Sequence, residues 1–151
     1  MARTVRVDEG EFKFAQNISV GPHFVRADEP VDAGGMDVGP DPHELLLAAL
    51  GACTSITLRM YAERKRWPLD DVHIELAYVS GDVASNGTGG ARDGIEMNIS
   101  LAGDLSLDQR SRLLQIANKC PVHRTLTSAI PIRSSLAQPA LLENSMAKAL
   151  T

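Results

Sequence analysis

The feature that most constrains the fold is a long run without proline between Pro42 and Pro68. Asp41 is a good N-cap, Pro42 suits the first helical position, and Glu44 stands three residues after the cap, where a capping box places a carboxylate. A proline at the far end stops helices because it lacks the backbone N–H and clashes with the preceding turn. The sequence therefore predicts one helix of roughly two dozen residues.

The two halves of this predicted helix differ in composition. Its first half is apolar on nearly every side, whereas residues 59–66 are rich in charge. One stripe at helical spacing contains Leu46, Leu50, Cys53, Ile56 or Thr57, and Met60. We expect a buried central helix with a solvated second half, and we interpret Gly51 and Ala52 as small residues that allow another element to approach closely.

Shorter elements surround the helix. Alternation and turn residues predict strands at 3–7, 11–19, 23–27, 72–80, 95–101 and 130–132, loops at 28–42 and 81–94, and a second helix from Ser106 towards Cys120 with Gln109 completing its capping box. The first three strands suit an antiparallel meander. These elements predict a single α+β domain over residues 1–136, followed by a peripheral, weakly helical tail over 137–151.

Composition limits the possible partners. With 151 residues, 44% hydrophobic and 23% charged, the chain suits one soluble domain with a real core. A net charge of -4 without a basic run excludes nucleic acid and anionic membranes as expected partners, and 4% aromatic residues offer little for base stacking. We find no signal peptide and no apolar stretch approaching about 18 residues, so a cytoplasmic location is expected.

The only two cysteines are the main candidates for chemistry. Two are too few for a disulfide framework, and no close Cys/His grouping resembles a zinc site. Cys53 and Cys120 are thus expected to act as thiols. From position alone, each is equally open to interpretation as a small buried core residue.

Two segments carry a family resemblance: GPDPHELLLAALGACTSITLRMYAERKRWPL and LLQIANKCPVHRTL. They resemble the two signature segments of the OsmC/Ohr family, and the similarity runs from about His23 to Ile132. Both cysteines fall on the family's motif cysteines. The resemblance implies antiparallel sheets around a long central helix, in an intertwined homodimer whose two active sites use residues from both chains.

The resemblance also implies a function, that of a thiol-dependent peroxidase for organic hydroperoxides and, as a further candidate, hydrogen peroxide. Cys53 would be the peroxidatic nucleophile and Cys120 the resolving thiol that forms a disulfide with it. A thiolate must attack the peroxide, and a second thiol must then capture the sulfenic acid before it is overoxidised. The disulfide then requires an external dithiol reductant, for which lipoyl groups serve in one branch. No metal or organic cofactor is implied.

The family site further uses a glutamate and an arginine near the reactive cysteine. Glu44 is the natural carboxylate, although the capping box alone explains a glutamate there. The organic-hydroperoxide branch carries its glutamate one residue earlier, at the position of His43.

Arg26 is our first candidate for the arginine, and Arg6 and Arg3 are the next candidates. For each of them, the alternative interpretation is a solvated surface charge. His123 and Arg124 follow Cys120 directly. They are expected either to support its thiolate or to cap the end of the second helix.

Two other functions remain open at this stage. One is a redox-sensing or ligand-binding stress protein of the same fold with little turnover. The other is a stress-induced dimer whose cysteines are structural, in which case the folded protein would resist thiol alkylation.

Overall fold

The computed structural model describes residues 3–83 and 92–137. It contains two antiparallel sheets and three α-helices. In chain order these are β1 (Val5–Glu9), β2 (Gln16–Val20), β3 (His23–Ala27), α1 (Pro42–Lys65), β4 (Asp71–Val83), β5 (Arg92–Ala102), α2 (Leu107–Ala117) and α3 (Pro121–Leu126). The predicted α+β class is confirmed.

The long helix has the predicted limits. Asp41 accepts a hydrogen bond from the Glu44 N–H, and the Glu44 carboxylate accepts one from the Asp41 N–H, which completes the capping box. The 24 residues of α1 end at Arg66, whose left-handed backbone closes the last turn. Local chemistry at both ends therefore sets the length of this element.

The predicted stripe on α1 is only partly buried. Leu50 is 4% exposed, as expected, but Leu46, Ile56 and Met60 are exposed. The charged residues at 63–66 are exposed as predicted, whereas the turn before them supplies Leu58, Tyr61 and Ala62 to the core that α1 forms with α2.

By length and composition α1 is also apolar enough to cross a membrane, contrary to our sequence expectation. A helix at the centre of a protein core passes the same test. The fully buried Leu58 and the contacts of α1 with α2, α3 and β4 agree with that interpretation.

The core lies between α1, α2 and the base of the β4–β5 hairpin. It consists of Leu58, Tyr61, Ala62, Leu69, Leu105, Leu113, Ile116 and Ala117. On one face of this hairpin, Ile74 lies opposite Ile99 and Leu76 opposite Met97. Gly51 lets α1 approach this face, because an added Cβ there would lie 2.8 Å from Leu76 Cδ1.

The N-terminal sheet has the order β1-β2-β3 and differs in detail from the prediction. β1 continues through Asp8 and Glu9, which we expected in a turn, and residues 11–15 form the turn instead of a strand. The Gly10 N–H donates to the Ala15 carbonyl and closes that turn. The alternating Phe12 and Phe14 suggested a strand, but both side chains are exposed.

Other differences concern the second half of the chain. β4 and β5 extend to Val83 and back to Arg92, into the predicted loop, and its centre at 84–91 lies outside the described residues. Residues 130–132 are not a strand, because they pair with no other described segment. The predicted helical tail falls almost entirely on 138–151, outside the described residues.

The segment between β3 and α1 is ordered by a buried carboxylate. Asp28 is 2% exposed and accepts hydrogen bonds from the backbone N–H groups of Glu29, Met36 and Val38 at 2.8, 3.0 and 3.3 Å. Burial opposes ionisation, but these three donors together outweigh it and hold the pKa of Asp28 below its usual value. Gly39 packs here so closely that a Cβ would lie 2.5 Å from the Arg26 carbonyl oxygen.

Candidate active site

The two segments that carry the cysteines meet at the contact between α1 and α3. Cys53 is partly exposed on α1, while Cys120 is fully buried. Thr54, the residue after Cys53, is also fully buried, and its hydroxyl oxygen lies 3.5 Å from the Cys120 sulfur. Cys120 therefore contacts α1 at the residue next to Cys53, although the two cysteines are far apart in sequence.

Cys120 occupies a different local structure from the one predicted. α2 ends at Ala117, and Cys120 is instead the N-cap of the additional short helix α3, with its sulfur accepting a hydrogen bond from the His123 N–H at 3.3 Å. The sequence did contain a signal for α3, since Pro121 stands at the first helical position. We missed it because a proline after a helix also reads as a stop signal.

His123 and Arg124 therefore do not cap α2. Both lie in the last turn of α3, where positive charge is favourable. His123 supports Cys120 through its backbone N–H, and its partly buried side chain lines the neighbouring cavity.

Glu44 and Arg26 lie away from this thiol pair in the single chain. Glu44 is exposed at the start of α1, and one of its oxygens is engaged in the capping box. Arg26 lies on β3 opposite Asn17 of β2, is exposed, and lines a small cavity with Asn17 and Val38. Within residues 3–83 and 92–137 its side chain makes no hydrogen bond or ion pair to either cysteine.

A cavity of about 570 Å³ lies between the β4–β5 hairpin and the three helices. Aliphatic and polar side chains share its walls, and neither cysteine is among the lining residues; these are Leu50, Tyr78, Asp93, Gly94, Ile95, Met97, Ile99, Leu114, Asn118, His123, Leu126 and Thr127. Leu50 and His123 belong to the same elements as Cys53 and Cys120. An aliphatic ligand body is what such walls accommodate.

The polar end of this cavity contains an ordered tyrosine. The Tyr78 hydroxyl donates to Asp93 Oδ2 at 3.1 Å, and the His43 ring lies 5.1 Å from the Tyr78 ring. The hydrogen bond to Asp93, followed by burial and the charge of Asp93, raises the pKa of Tyr78. Tyr78 therefore stays a neutral phenol around neutral pH, fixed by its acceptor.

Apolar surface is left uncovered on α1 and on the N-terminal sheet. Leu46, Ile56 and Met60 lie on the same side of α1 as Cys53, and Ile56 and Met60 are 60% and 64% exposed. The pairing of β1, β2 and β3 places Val5, Val7, Ile18, Val20 and Val25 on one face of the N-terminal sheet. Arg26 belongs to the opposite face, and the whole sheet packs only sparsely on the remaining elements.

Comparisons with known proteins agree with this architecture. The model of the OsmC family, described as OsmC-like protein, matches residues 34–135. An OsmC-like protein from Mycoplasma pneumoniae superimposes with a TM-score of 0.68 at 18% identity, covering 85% of this chain and 89% of that one. A comparison with curated protein sequences found no match.

Two further solved structures are similar in fold. An organic hydroperoxide resistance protein OsmC from Legionella pneumophila gives a TM-score of 0.64 at 17% identity over 85% of this chain and 90% of that one. The organic hydroperoxide resistance protein OhrB of Bacillus subtilis gives 0.59 at 18% identity over 88% and 96%. Since the family model spans most of the chain and includes both cysteines, this protein belongs to the OsmC-like family.

Proposed function

We propose that this protein is a thiol-dependent peroxidase that reduces organic hydroperoxides with Cys53 and Cys120. The observation that carries the proposal is the pairing of a partly exposed thiol with a buried one, linked by Thr54 at the contact between α1 and α3. Family membership and the similarity in fold to proteins named for organic hydroperoxide resistance support it.

The chemistry takes two steps. The Cys53 thiolate attacks one peroxide oxygen, the O–O bond breaks, and the leaving alkoxide takes up a proton to become an alcohol. Cys53 is then a sulfenic acid. The Cys120 sulfur attacks the Cys53 sulfur, water leaves, and a disulfide forms before further oxidation occurs. An external dithiol, for which a lipoyl group is our candidate, returns both cysteines to thiols.

The cavity supports an organic substrate. Its aliphatic side chains include Leu50 of α1, the helix that carries Cys53, so the body of a hydroperoxide would lie there with its peroxide group towards Cys53. Hydrogen peroxide has no apolar body and gains nothing from such walls. We therefore expect organic hydroperoxides to be the better substrates.

We further propose a homodimer, in which a second copy covers the apolar faces of α1 and of the N-terminal sheet. A sheet with one apolar face must bury that face against another layer, and within the described residues no element of the same chain covers it. Cys53 lies beside this uncovered surface of α1. The partner subunit would therefore complete the surroundings of the reactive thiol.

Glu44 and Arg26 enter this proposal as candidate groups of the completed site. The second oxygen of Glu44 is not used by the capping box and is available to another donor. Arg26 contacts neither cysteine of its own chain, so any action on the peroxide requires the Arg26 of the other subunit. Replacing Arg26 with Gln should then lower kcat/KM at least tenfold, whereas Arg6→Gln in the same sheet should not.

The test is consumption of cumene hydroperoxide and hydrogen peroxide by the reduced protein with a dithiol reductant. Wild type should turn over, Cys53→Ser should be inactive, and Cys120→Ser should become overoxidised at Cys53. A fully active Cys53→Ser protein would contradict the proposal. A single stoichiometric oxidation of the wild type would instead indicate a redox sensor.

A further inference from the structure

Thr54 has an unusual hydrogen bond for a threonine within a helix. Threonine hydroxyls in helices commonly bond the carbonyl four residues earlier, and Thr57 does so by donating to the Cys53 carbonyl at 2.7 Å. The Thr54 hydroxyl is fully buried, and its only hydrogen-bond partner among the described residues is the Cys120 sulfur. One helical turn thus contains two threonines with different roles.

The Cys120 sulfur therefore lies between two donors, the Thr54 hydroxyl and the His123 N–H, at 3.5 and 3.3 Å. A thiolate only accepts hydrogen bonds, so once Cys120 carries a negative charge the Thr54 hydroxyl must donate to it. Hydrogen bonds to a charged group are stronger than those between neutral groups. The surroundings of Cys120 thus favour negative charge on its sulfur.

Cys53 has the opposite surroundings. Its sulfur accepts no hydrogen bond from any described residue, and its side chain is partly exposed where that of Cys120 is fully buried. Of the two sulfurs, that of Cys53 is therefore the more accessible in the subunit. When a thiolate attacks one sulfur of a disulfide between the two, the other sulfur leaves as a thiolate. Attack at the more accessible Cys53 therefore expels Cys120, which is also the sulfur whose negative charge is better stabilised.

We propose that Thr54 is a positioning residue that makes Cys120 the leaving group when the Cys53–Cys120 disulfide is reduced, so that an external dithiol attacks Cys53. This inference rests on the proposed function for the existence of that disulfide. It adds the direction of the reductive step and the residue that sets this direction.

The step balances with a dithiol as the reductant. One thiolate of the reductant attacks the Cys53 sulfur, a new S–S bond forms, and the Cys53–Cys120 bond breaks with its electron pair passing to Cys120. The second reductant thiol, after losing its proton, attacks the reductant's own sulfur in the mixed disulfide and releases Cys53 as a thiolate. The dithiol becomes a disulfide, and its two protons pass to solvent or to the two cysteines.

The experiment starts from a disulfide made without peroxide, by treating the intact protein with diamide. Its reduction by dithiothreitol is followed by acid quenching and thiol counting. Thr54→Val should slow reduction about tenfold or more, as expected from losing one hydrogen bond to a charged sulfur. Thr54→Ser should restore the rate, and the matched control Thr57→Val should reduce at the wild-type rate.

A second measurement locates the attack. The diamide-oxidised protein is mixed briefly with 2-mercaptoethanol, quenched in acid, digested and analysed by mass spectrometry. The adduct should be on Cys53 in wild type and should shift in part to Cys120 in Thr54→Val. An adduct mainly on Cys120 in wild type would overturn the inference, as would equal rates for Thr54→Val and wild type, or the absence of an intramolecular disulfide.

Failure of the proposed function would look different. A protein that fails to consume cumene hydroperoxide but shows the expected reduction rates and a Cys53 adduct would lack peroxidase activity while keeping the directed disulfide chemistry. If circular dichroism shows that Thr54→Val does not fold, the inference is tested by two other results. These are the adduct position in wild type and the rate of disulfide reduction in Thr54→Ser. An adduct on Cys53 with a rate within twofold of wild type for Thr54→Ser would support the inference, and any other result would contradict it.

Discussion

The two halves of α1 differ both in composition and in surroundings. The C-terminal half packs Leu58, Tyr61 and Ala62 against α2 and the hairpin, whereas the N-terminal half carries Cys53 beside exposed apolar side chains. A chain that completes its own core has no need to leave apolar side chains exposed beside a cysteine. In the dimer that we propose, the packed side of the helix stabilises the subunit, and the exposed side next to Cys53 contacts the partner.

The largest expected effect comes from Leu58→Ala in the packed half. Leu58 is fully buried in the core, so truncation should reduce the free energy of unfolding by about 2–5 kcal/mol. Met60→Ala, two residues away on the uncovered side, serves as its matched control at low protein concentration, where subunits separate. Denaturant unfolding measures both, and equal losses would remove the contrast between the two sides.

A charge on the uncovered side of α1 should act on association instead. Ile56→Glu buries a carboxylate in the proposed dimer interface, so its dimer dissociation constant should rise about a hundredfold or more. Leu107→Glu, at another exposed position, should leave association unchanged. Sedimentation at several concentrations measures this, and a wild-type protein that is monomeric throughout would refute the dimer.

The segment that joins the N-terminal sheet to α1 should be sensitive to a single methyl group. Gly39→Ala would place Cβ 2.5 Å from a backbone oxygen that has little freedom to move. We expect a loss of about 1–3 kcal/mol in unfolding free energy. Gly81→Ala is the control for the added methyl group, because an added Cβ at Gly81 meets nothing within 4 Å. The φ of Gly81 is 72°, so this control includes backbone strain but no close contact. A smaller loss at Gly39 than at Gly81 would contradict the close packing.

The same segment should respond to acid through Asp28. Its pKa is lowered in the folded protein, so its stabilising contribution is present above the unfolded-state value of about 4 and is lost as pH falls through the lower folded-state value. Asp28→Asn should be less stable than wild type at pH 7, and the gap should narrow below about pH 4. A gap that stays constant in denaturant titrations between pH 7 and 3 would exclude this linkage.

The smallest expected effect separates the two roles of Glu44. Glutamine also completes a capping box, so Glu44→Gln should change the unfolding free energy by less than about 0.5 kcal/mol. If Glu44 also acts on the peroxide, kcat/KM should fall at least tenfold while stability remains. Unchanged turnover would assign Glu44 to the cap alone.

Local chemistry in the sequence determined much of the fold. The bounds of α1, both capping boxes and the third strand depend on neighbours within a few residues, and all were predicted correctly. The motif cysteines also identified the family. α3 was missed although its signal was present, because Cys120-Pro121 suits both the stop of one helix and the start of the next.

Only the tertiary structure decided which side of α1 is covered and what surrounds each thiol. Nearly every side of the first half is apolar, so periodicity had no contrast with which to distinguish a core-facing from a partner-facing side. The Thr54–Cys120 contact joins residues far apart in the chain, and no local pattern marks it. Sequence thus determined most of the elements and the candidate thiols, whereas long-range packing determined the exposure and hydrogen bonding of these thiols, on which their chemistry depends.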